Sequence, residues 1–390
     1  MSCIFMKKAN KTILSLNKQS PYIKFINIKR QGFCKIFLAF GVFLFSYIGR
    51  AQQIDFGNIG KGKAFKIGGG ISANSVFYSS NQEDSREPFT YFLQGSLNIG
   101  FFEFSMPISY SFTNQGSNLD YELPFNFNRL SLHPKYKWVQ AHIGDINMSF
   151  SPYTLSGHQF TGGGLELTPK GGFSFSAATG RFLKAVEDDG GPQTIPAYKR
   201  MGYGAKVGYK ADTYEVGLIG FYARDQVNSI AMVPEDKDVL PKENLVLSIE
   251  GAYEILKGMR LRAEYASTAM TQDLRAEPDP DNEKVFSGLF FQGRASTEYY
   301  SAINTGLDYS FGSSSIGVGY ERIDPGYETL GAFYFNNDFE NITLNASTIL
   351  WKEKLDLTFN IGYQRDDLEG QKGNSTNRTV GAVNASFEAS

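Results

Sequence analysis

Eight ionisable residues share one alternation phase in the middle of the chain: Lys206, Lys210, Glu215, Glu250, Glu254, Arg260, Arg262 and Glu264. Two chemistries fit them. Carboxylates, ammonium groups and guanidinium groups that face water can bind and sort charged solutes. The same groups can neutralise one another as ion pairs that brace a wall, as they do inside small barrels. A turn near Lys257 sets Glu254 opposite Arg260 and Glu250 diagonal to Arg262. That arrangement suits either reading.

Other reactive residues are sparse. The three histidines, His133, His142 and His158, do not stand at zinc-ligand spacing from one another. A hydrolase acting on membrane lipid needs its base and nucleophile on the outer surface. His142 precedes Ser149, but Val139, Ala141 and Ile143 take the apolar phase and turn His142 inward. Glu187, Asp188 and Asp189 form one acidic loop, and Glu277, Asp279, Asp281 and Glu283 another. The second lacks the glycine of an EF-hand loop and reads as solvated charge. Ser151–Gly164 (SPYTLSGHQFTGGG) could fold inward, but Gly162, Gly163 and Gly164 read more simply as glycines at a strand entry. A phosphate-binding loop would end in Lys-Ser or Lys-Thr, which this one does not. No catalytic residue, metal site or cofactor is expected.

The elements that position these groups are strands. Leu355, Leu357, Phe359, Ile361 and Tyr363 alternate with Asp356, Thr358, Asn360 and Gly362. Tyr203, Ala205, Val207 and Tyr209 alternate with Gly202, Gly204, Lys206 and Gly208. Period-2 alternation marks a strand with two different faces. Among 390 residues there are 33 Phe, 22 Tyr and 41 Gly, a composition that favours twisted strands and aromatic girdles over helices.

Connection lengths narrow the architecture. Short turns fall near Gly100, His133–Lys135, Pro169–Gly172, Ala211-Asp212, Leu256–Gly258, Gly312–Ser314 and Lys352–Lys354. Long polar segments fall between them, at 79–88, 113–123, 147–161, 184–196, 226–243, 271–291, 323–330 and 366–377. Outer-membrane barrels pair short periplasmic turns with longer outer loops, whereas a soluble sandwich has no reason to keep that asymmetry. The expected fold is therefore all-β, an antiparallel transmembrane β-barrel of about sixteen strands (roughly fourteen to sixteen). One face of each strand meets lipid and the other lines the lumen. A Lys or Arg on the lipid face at mid-depth costs about 2–4 kcal/mol, which is why the eight charges belong inside.

The N-terminal segment concerns export. Residues 1–51 hold nine basic and no acidic residues. The remainder keeps 29 basic against 40 acidic residues, a net charge near -11, which disfavours nucleic-acid binding. Ile36–Ile48 is an uncharged run of thirteen residues. It is too short for a membrane-spanning helix of about 20 residues and the right length for a secretory signal. Gly49-Arg50-Ala51 places small residues for cleavage between Ala51 and Gln52. The expected domains are 1–51 for the basic extension and signal, 52–61 for a periplasmic lead-in, and 62–390 for the barrel. Both cysteines, Cys3 and Cys34, precede the cut, so disulfides in the exported chain are excluded.

The segments Asn128–Asp145 (NRLSLHPKYKWVQAHIGD), Ser149–Gly164, Gly180–Ala185 and Tyr198–Tyr203, with a signal ending in Ala51-Gln52-Gln53, resemble an outer-membrane barrel family of the Bacteroidota. The resemblance covers most of residues 60–390. It implies a fold and an outer-membrane location, and no chemistry. Asn377–Phe387 (NRTVGAVNASF) resembles an internal strand of longer relatives, which implies a shortened member of the family. The functional expectation is a porin-like channel for small hydrophilic solutes. The alternative is a non-conducting barrel that anchors or assists an envelope partner, and an outer-membrane hydrolase ranks last. Expected partners are outer-membrane lipid, the barrel-assembly machinery during biogenesis, and an envelope protein of unknown identity.

Overall fold

The computed structural model describes residues 65–387, apart from 80–87, 115–122, 126, 193, 232, 234–236, 283–290 and 352–353. The signal segment, the Ala51–Gln52 cleavage point and the 52–61 lead-in lie outside the described residues.

The strands run in chain order as β1 (Lys66–Phe77), β2 (Phe89–Phe101), β3 (Phe104–Thr113), β4 (Arg129–Leu132), β5 (Lys135–Tyr136), β6 (Val139–Asn147), β7 (Gln159–Leu167), β8 (Phe173–Leu183) and β9 (Arg200–Lys210). There follow β10 (Tyr214–Asp225), β11 (Glu243–Leu256), β12 (Met259–Thr271), β13 (Thr297–Phe311), β14 (Ser314–Ile323), β15 (Phe339–Leu350), β16 (Leu355–Asp366) and β17 (Asn377–Phe387). Apart from β4 and β5, neighbours in the chain pair antiparallel, in a single sheet.

β4 and β5 are two halves of one pass, since both pair with β3 and both with β6. Seventeen strands thus make sixteen passes, the number the alternation predicts. The turn expected at His133–Lys135 does not form. The chain does not reverse there; Pro134 has no N–H to give the ladder and splits the strand. His133 N donates to Pro107 O at 2.8 Å and Ala141 N to Pro134 O at 2.8 Å, so the pass continues across the break. The reversal comes at Lys137-Trp138, where Lys137 takes a φ of 54°.

The two faces of the sheet differ. Val207, Leu218, Ile249, Tyr265 and Ile303 stand side by side across β9 to β13 on the outer face. Leu218 is 59% exposed and Ile249 50%. A continuous apolar belt of this kind is a lipid-facing surface. One residue along, Lys206, Ile219, Ser248, Ala266 and Ala302 form the matching inner row. Ile219, Ser248, Ala266 and Ala302 are buried. Among the described residues no helix is long and apolar enough to cross a membrane; strands of this length, with roughly 9–11 residues needed per crossing, do so instead.

The sheet is a barrel with one open seam. Among the described residues, β1 and β17 form no ladder with each other, and every residue of both strands is exposed. They run antiparallel to each other because the number of passes is even.

Candidate functional site

The inner face carries an inward-folded segment and a charged chamber. Met148–His158, between β6 and β7, enters the concavity of the sheet. Ser151-Pro152-Tyr153-Thr154 turns it, with Thr154 N donating to Ser151 O at 3.3 Å and proline at the second position, where its fixed φ suits a turn. Phe150 N donates to Leu155 O at 2.8 Å and closes the tip. Met148, Phe150, Tyr153, Thr154 and Leu155 are all buried. The preference for a simple strand entry over Ser151–Gly164 is therefore corrected for its first half. Gly162, Gly163 and Gly164 do lie within β7, but the residues before them turn inward because their apolar side chains find a covered surface there.

That surface spans many strands, which only a strongly curled sheet allows. The Lys206 ammonium of β9 donates to Phe150 O at 2.9 Å. The Tyr153 hydroxyl donates to Glu321 Oε1 of β14 at 2.5 Å and accepts from Asn304 Nδ2 of β13 at 3.1 Å. Burial, then the bond to Glu321, pushes the Tyr153 phenol well above its ordinary range, so it remains a neutral donor. Phe150 lies against Gly204, where an added Cβ would stand 2.6 Å from its ring. The segment between β14 and β15 joins from the other side. Tyr327 Oη donates to Tyr153 O at 2.8 Å, Thr329 Oγ1 to Thr154 O at 2.7 Å, and Ser156 N to Gly331 O at 3.0 Å. Leu330 N donates to Asn244 Oδ1 of β11 at 3.0 Å. Around these contacts Phe160, Phe182, Phe221, Val246 and Met270 form a packed cluster inside the barrel.

Toward the short turns lies a cavity of about 530 Å³. It is lined by Lys206, Lys210, Glu215, Glu250, Arg260, Arg262 and Glu264, which brings together seven of the eight residues singled out from the sequence. Glu254 lies beside this group; its carboxylate accepts the Gly258 N–H at 3.1 Å. The register places Glu254 opposite Arg260, as the turn position implied. The ion pairs follow other partners. Arg260 meets Glu215 at 2.9 Å, Lys210 also meets Glu215, Lys206 meets Glu250 at 2.6 Å, and Arg262 meets Asp308 at 2.7 Å. Lys210 and Glu215 pair within one hairpin, whereas the pairs of Arg260, Lys206 and Arg262 join residues 44 to 46 positions apart in sequence. Asp308 and Asn304 join these eight; their positions between Ile303, Leu307 and Tyr309 carry the same inward phase.

These pairs lie flat on the wall. A Cβ at Gly217 would stand 2.7 Å from Glu250 Oε1, and one at Gly306 would stand 3.1 Å from the Arg262 guanidinium. Glycine on the neighbouring strand leaves room for each charged side chain to lie along the sheet, and the space in front of it stays free.

The remaining sequence candidates have other partners. His142 faces inward, 7% exposed, and its Nδ1 lies 2.7 Å from His133 Nδ1, so one ring donates to the other. This pairing arises from strand register, across β4–β5 and β6, and spacing did not reveal it. Glu187 accepts Ala231 N at 2.9 Å. Lys237 Nζ contacts Asp188 Oδ1 at 2.6 Å, Thr194 O at 2.9 Å and Gly191 O at 3.0 Å. An ammonium group thus occupies the oxygens of that acidic loop.

The fold and its inner face define a transmembrane β-barrel with an inward-folded segment. No family model matches the sequence, and no curated protein matches it. Among solved structures, OccK10 (OpdN) of Pseudomonas aeruginosa is similar at 14% identity, with 83% of this chain and 86% of that chain covered and a TM-score of 0.42. An anion-selective porin from Comamonas acidovorans is 14% identical over 82% of this chain and 99% of that one, with a TM-score of 0.43. OmpT, an outer membrane protein of Vibrio cholerae, is 13% identical over 84% and 99%, with a TM-score of 0.39.

Proposed function

We propose that the chain is an outer-membrane channel for small hydrophilic solutes, narrowed by Met148–His158. The observation that carries this reading is the division of the inner face. The inward segment covers one part of the wall, and a charged cavity of about 530 Å³ lies open below it. The apolar outer belt supports a bilayer location, and the resemblance to a Bacteroidota outer-membrane family agrees with it. Outer-membrane lipid and, during biogenesis, the barrel-assembly machinery are the partners this reading requires. Conductance of the purified full chain in planar lipid bilayers tests it. Stepwise current is expected; no current above background would remove the idea.

A second reading has its own support. The buried cluster around Tyr153, Tyr327, Leu330 and Phe221 fills part of the interior, as a non-conducting anchor or assembly partner would require. Crosslinking in the native envelope followed by co-purification tests that reading, and a persistently solitary protein counts against it.

A further inference from the structure

The two halves of the inner face differ in chemistry. From β9 to β14 it carries charges of both signs. From β15 through β17, and again over β2 and β3, its mid-strand positions are neutral, with Thr343, Asn345, Asn360, Asn98 and Ser109 on that face; a charge, Arg378, stands near the start of β17, where it donates to Gln364 at 2.6 Å. Solutes that enter the barrel meet one charged wall and one wall of amides and hydroxyls.

The charged wall mixes both signs. Four cations, Lys206, Lys210, Arg260 and Arg262, stand among five carboxylates, Glu215, Glu250, Glu254, Glu264 and Asp308. Interleaved charges weaken any uniform field that would draw in simple anions or simple cations, since most of them stand in ion pairs. The groups are still reachable. Arg262 and Asp308 side chains are 54% and 40% exposed, and Arg260 and Glu215 are 46% and 33% exposed. Each guanidinium has five donors, and one carboxylate partner cannot use all of them. Opposite charges recur between neighbouring strands about 5 Å apart, a step that a small dipolar molecule can span. Aromatic rings, the usual platform for sugars, are missing from the inward-facing positions of this cavity; Tyr209 lines it from a strand position of outward phase.

We propose that the wall formed by β9 to β13 selects zwitterionic solutes, amino acids and short peptides, over neutral sugars and over ions of a single sign. The solute ammonium group meets the exposed carboxylate of a pair, and its carboxylate meets the guanidinium or ammonium group. Step by step it replaces one partner of a pair already in place, while the rest of the solute faces amides. This inference rests on the channel reading above.

The full chain reconstituted in liposomes tests it. L-glutamine and D-xylose have nearly equal mass, and osmotic swelling gives the permeation rate of each. Glutamine is expected to enter roughly threefold faster than xylose, a modest gain for charge focusing in a narrow site. In planar bilayers under a KCl gradient, the reversal potential is expected to show at most a weak preference for K+. Two double variants remove a pair without changing net charge: Arg262→Gln with Asp308→Asn, and Lys206→Gln with Glu250→Gln. The glutamine-to-xylose ratio is read on each protein separately, so different amounts of inserted protein cancel. In both variants it should fall toward one. Equal rates for the two solutes in the native protein, or a native ratio in both double variants, would overturn the proposal while leaving the channel reading in place. Absence of any KCl conductance would overturn both.

Discussion

The Tyr327 hydroxyl donates to the carbonyl oxygen of Tyr153 across 2.8 Å, joining two segments that stand 174 residues apart in sequence. Both residues are buried, and their rings meet edge to face at 6.5 Å. The inward segment is therefore held from its own hairpin and from the far side of the barrel.

Removing the Tyr153 side chain should free the inward segment. Tyr153→Ala loses a packed aromatic ring, at about 3–5 kcal/mol for such a truncation, and the partner of Glu321. We expect higher single-channel conductance and a lower melting temperature than in the native protein. Tyr153→Phe keeps the ring and removes only the hydroxyl, a loss of about 1–3 kcal/mol where a buried partner is left unmet. It should show the smaller conductance change. Identical conductance for Tyr153→Ala and native protein would mean that the segment does not narrow the path.

Gly204 should tolerate no larger side chain while Phe150 stays where it is. Gly204→Val places carbon where the Phe150 ring lies, 2.6 Å from the first added atom. Overpacking of this kind costs about 1–3 kcal/mol. Cleavage of the inward segment by an added protease, followed by mass spectrometry, is expected to increase in Gly204→Val. Gly373, which has open space around it, serves as the control: Gly373→Ala should cleave like native protein.

Acid should loosen the outer loops before the barrel. The Asp189 carboxylate accepts from Thr194 Oγ1 at 2.7 Å and from Gly191 N at 2.8 Å, and these bonds hold it below the usual aspartate range. Arg275 does the same for Asp273. A carboxyl whose folded value is depressed contributes stability that is complete above its unfolded value, about 3.9, and is lost as pH falls through the folded value. Hydrogen exchange at 184–199 and 272–282 should therefore quicken below about pH 4, while the strands stay protected. In Asp189→Asn the acid response of 184–199 should disappear.

The seam should close in a bilayer. Unpaired backbone groups in hydrocarbon cost several kcal/mol each, and β1 and β17 each present a full edge of them. Their lengths, twelve and eleven residues, match, and their directions are antiparallel. Cysteines placed in turn at Gly68, Gly70 and Ser72, against Ala382, Asn384 and Ser386, test the pairing in a background lacking Cys3 and Cys34. An intramolecular disulfide is expected for pairs of one register in liposomes. Disulfide-linked dimers alone would show that a second chain meets the edge.

Much of the architecture is legible locally. Leu355–Tyr363 alternates in sequence and forms β16 in the structure, because side chains on a strand point to opposite faces with a period of two. The long and short connections fall where the sequence places them, apart from His133–Lys135. There a proline inside a strand imitates a turn, since both interrupt the ladder. The inward path of Met148–His158 was harder to read. A run such as SPYTLSG has the polar and turn residues of an outer loop, and only the burial surface offered by β9, β13 and β14 draws it inside.

The sequence by itself determined the strands, their two faces and the inward orientation of the eight charges, since alternation and loop length are properties of neighbouring residues. Tertiary structure decided which charge meets which. Arg260 chooses Glu215 over Glu254, and Arg262 chooses Asp308 over Glu250. A turn fixes the register inside its own hairpin, but which of several charges within reach pairs depends on strands brought alongside by the curled sheet, and no local pattern encodes that.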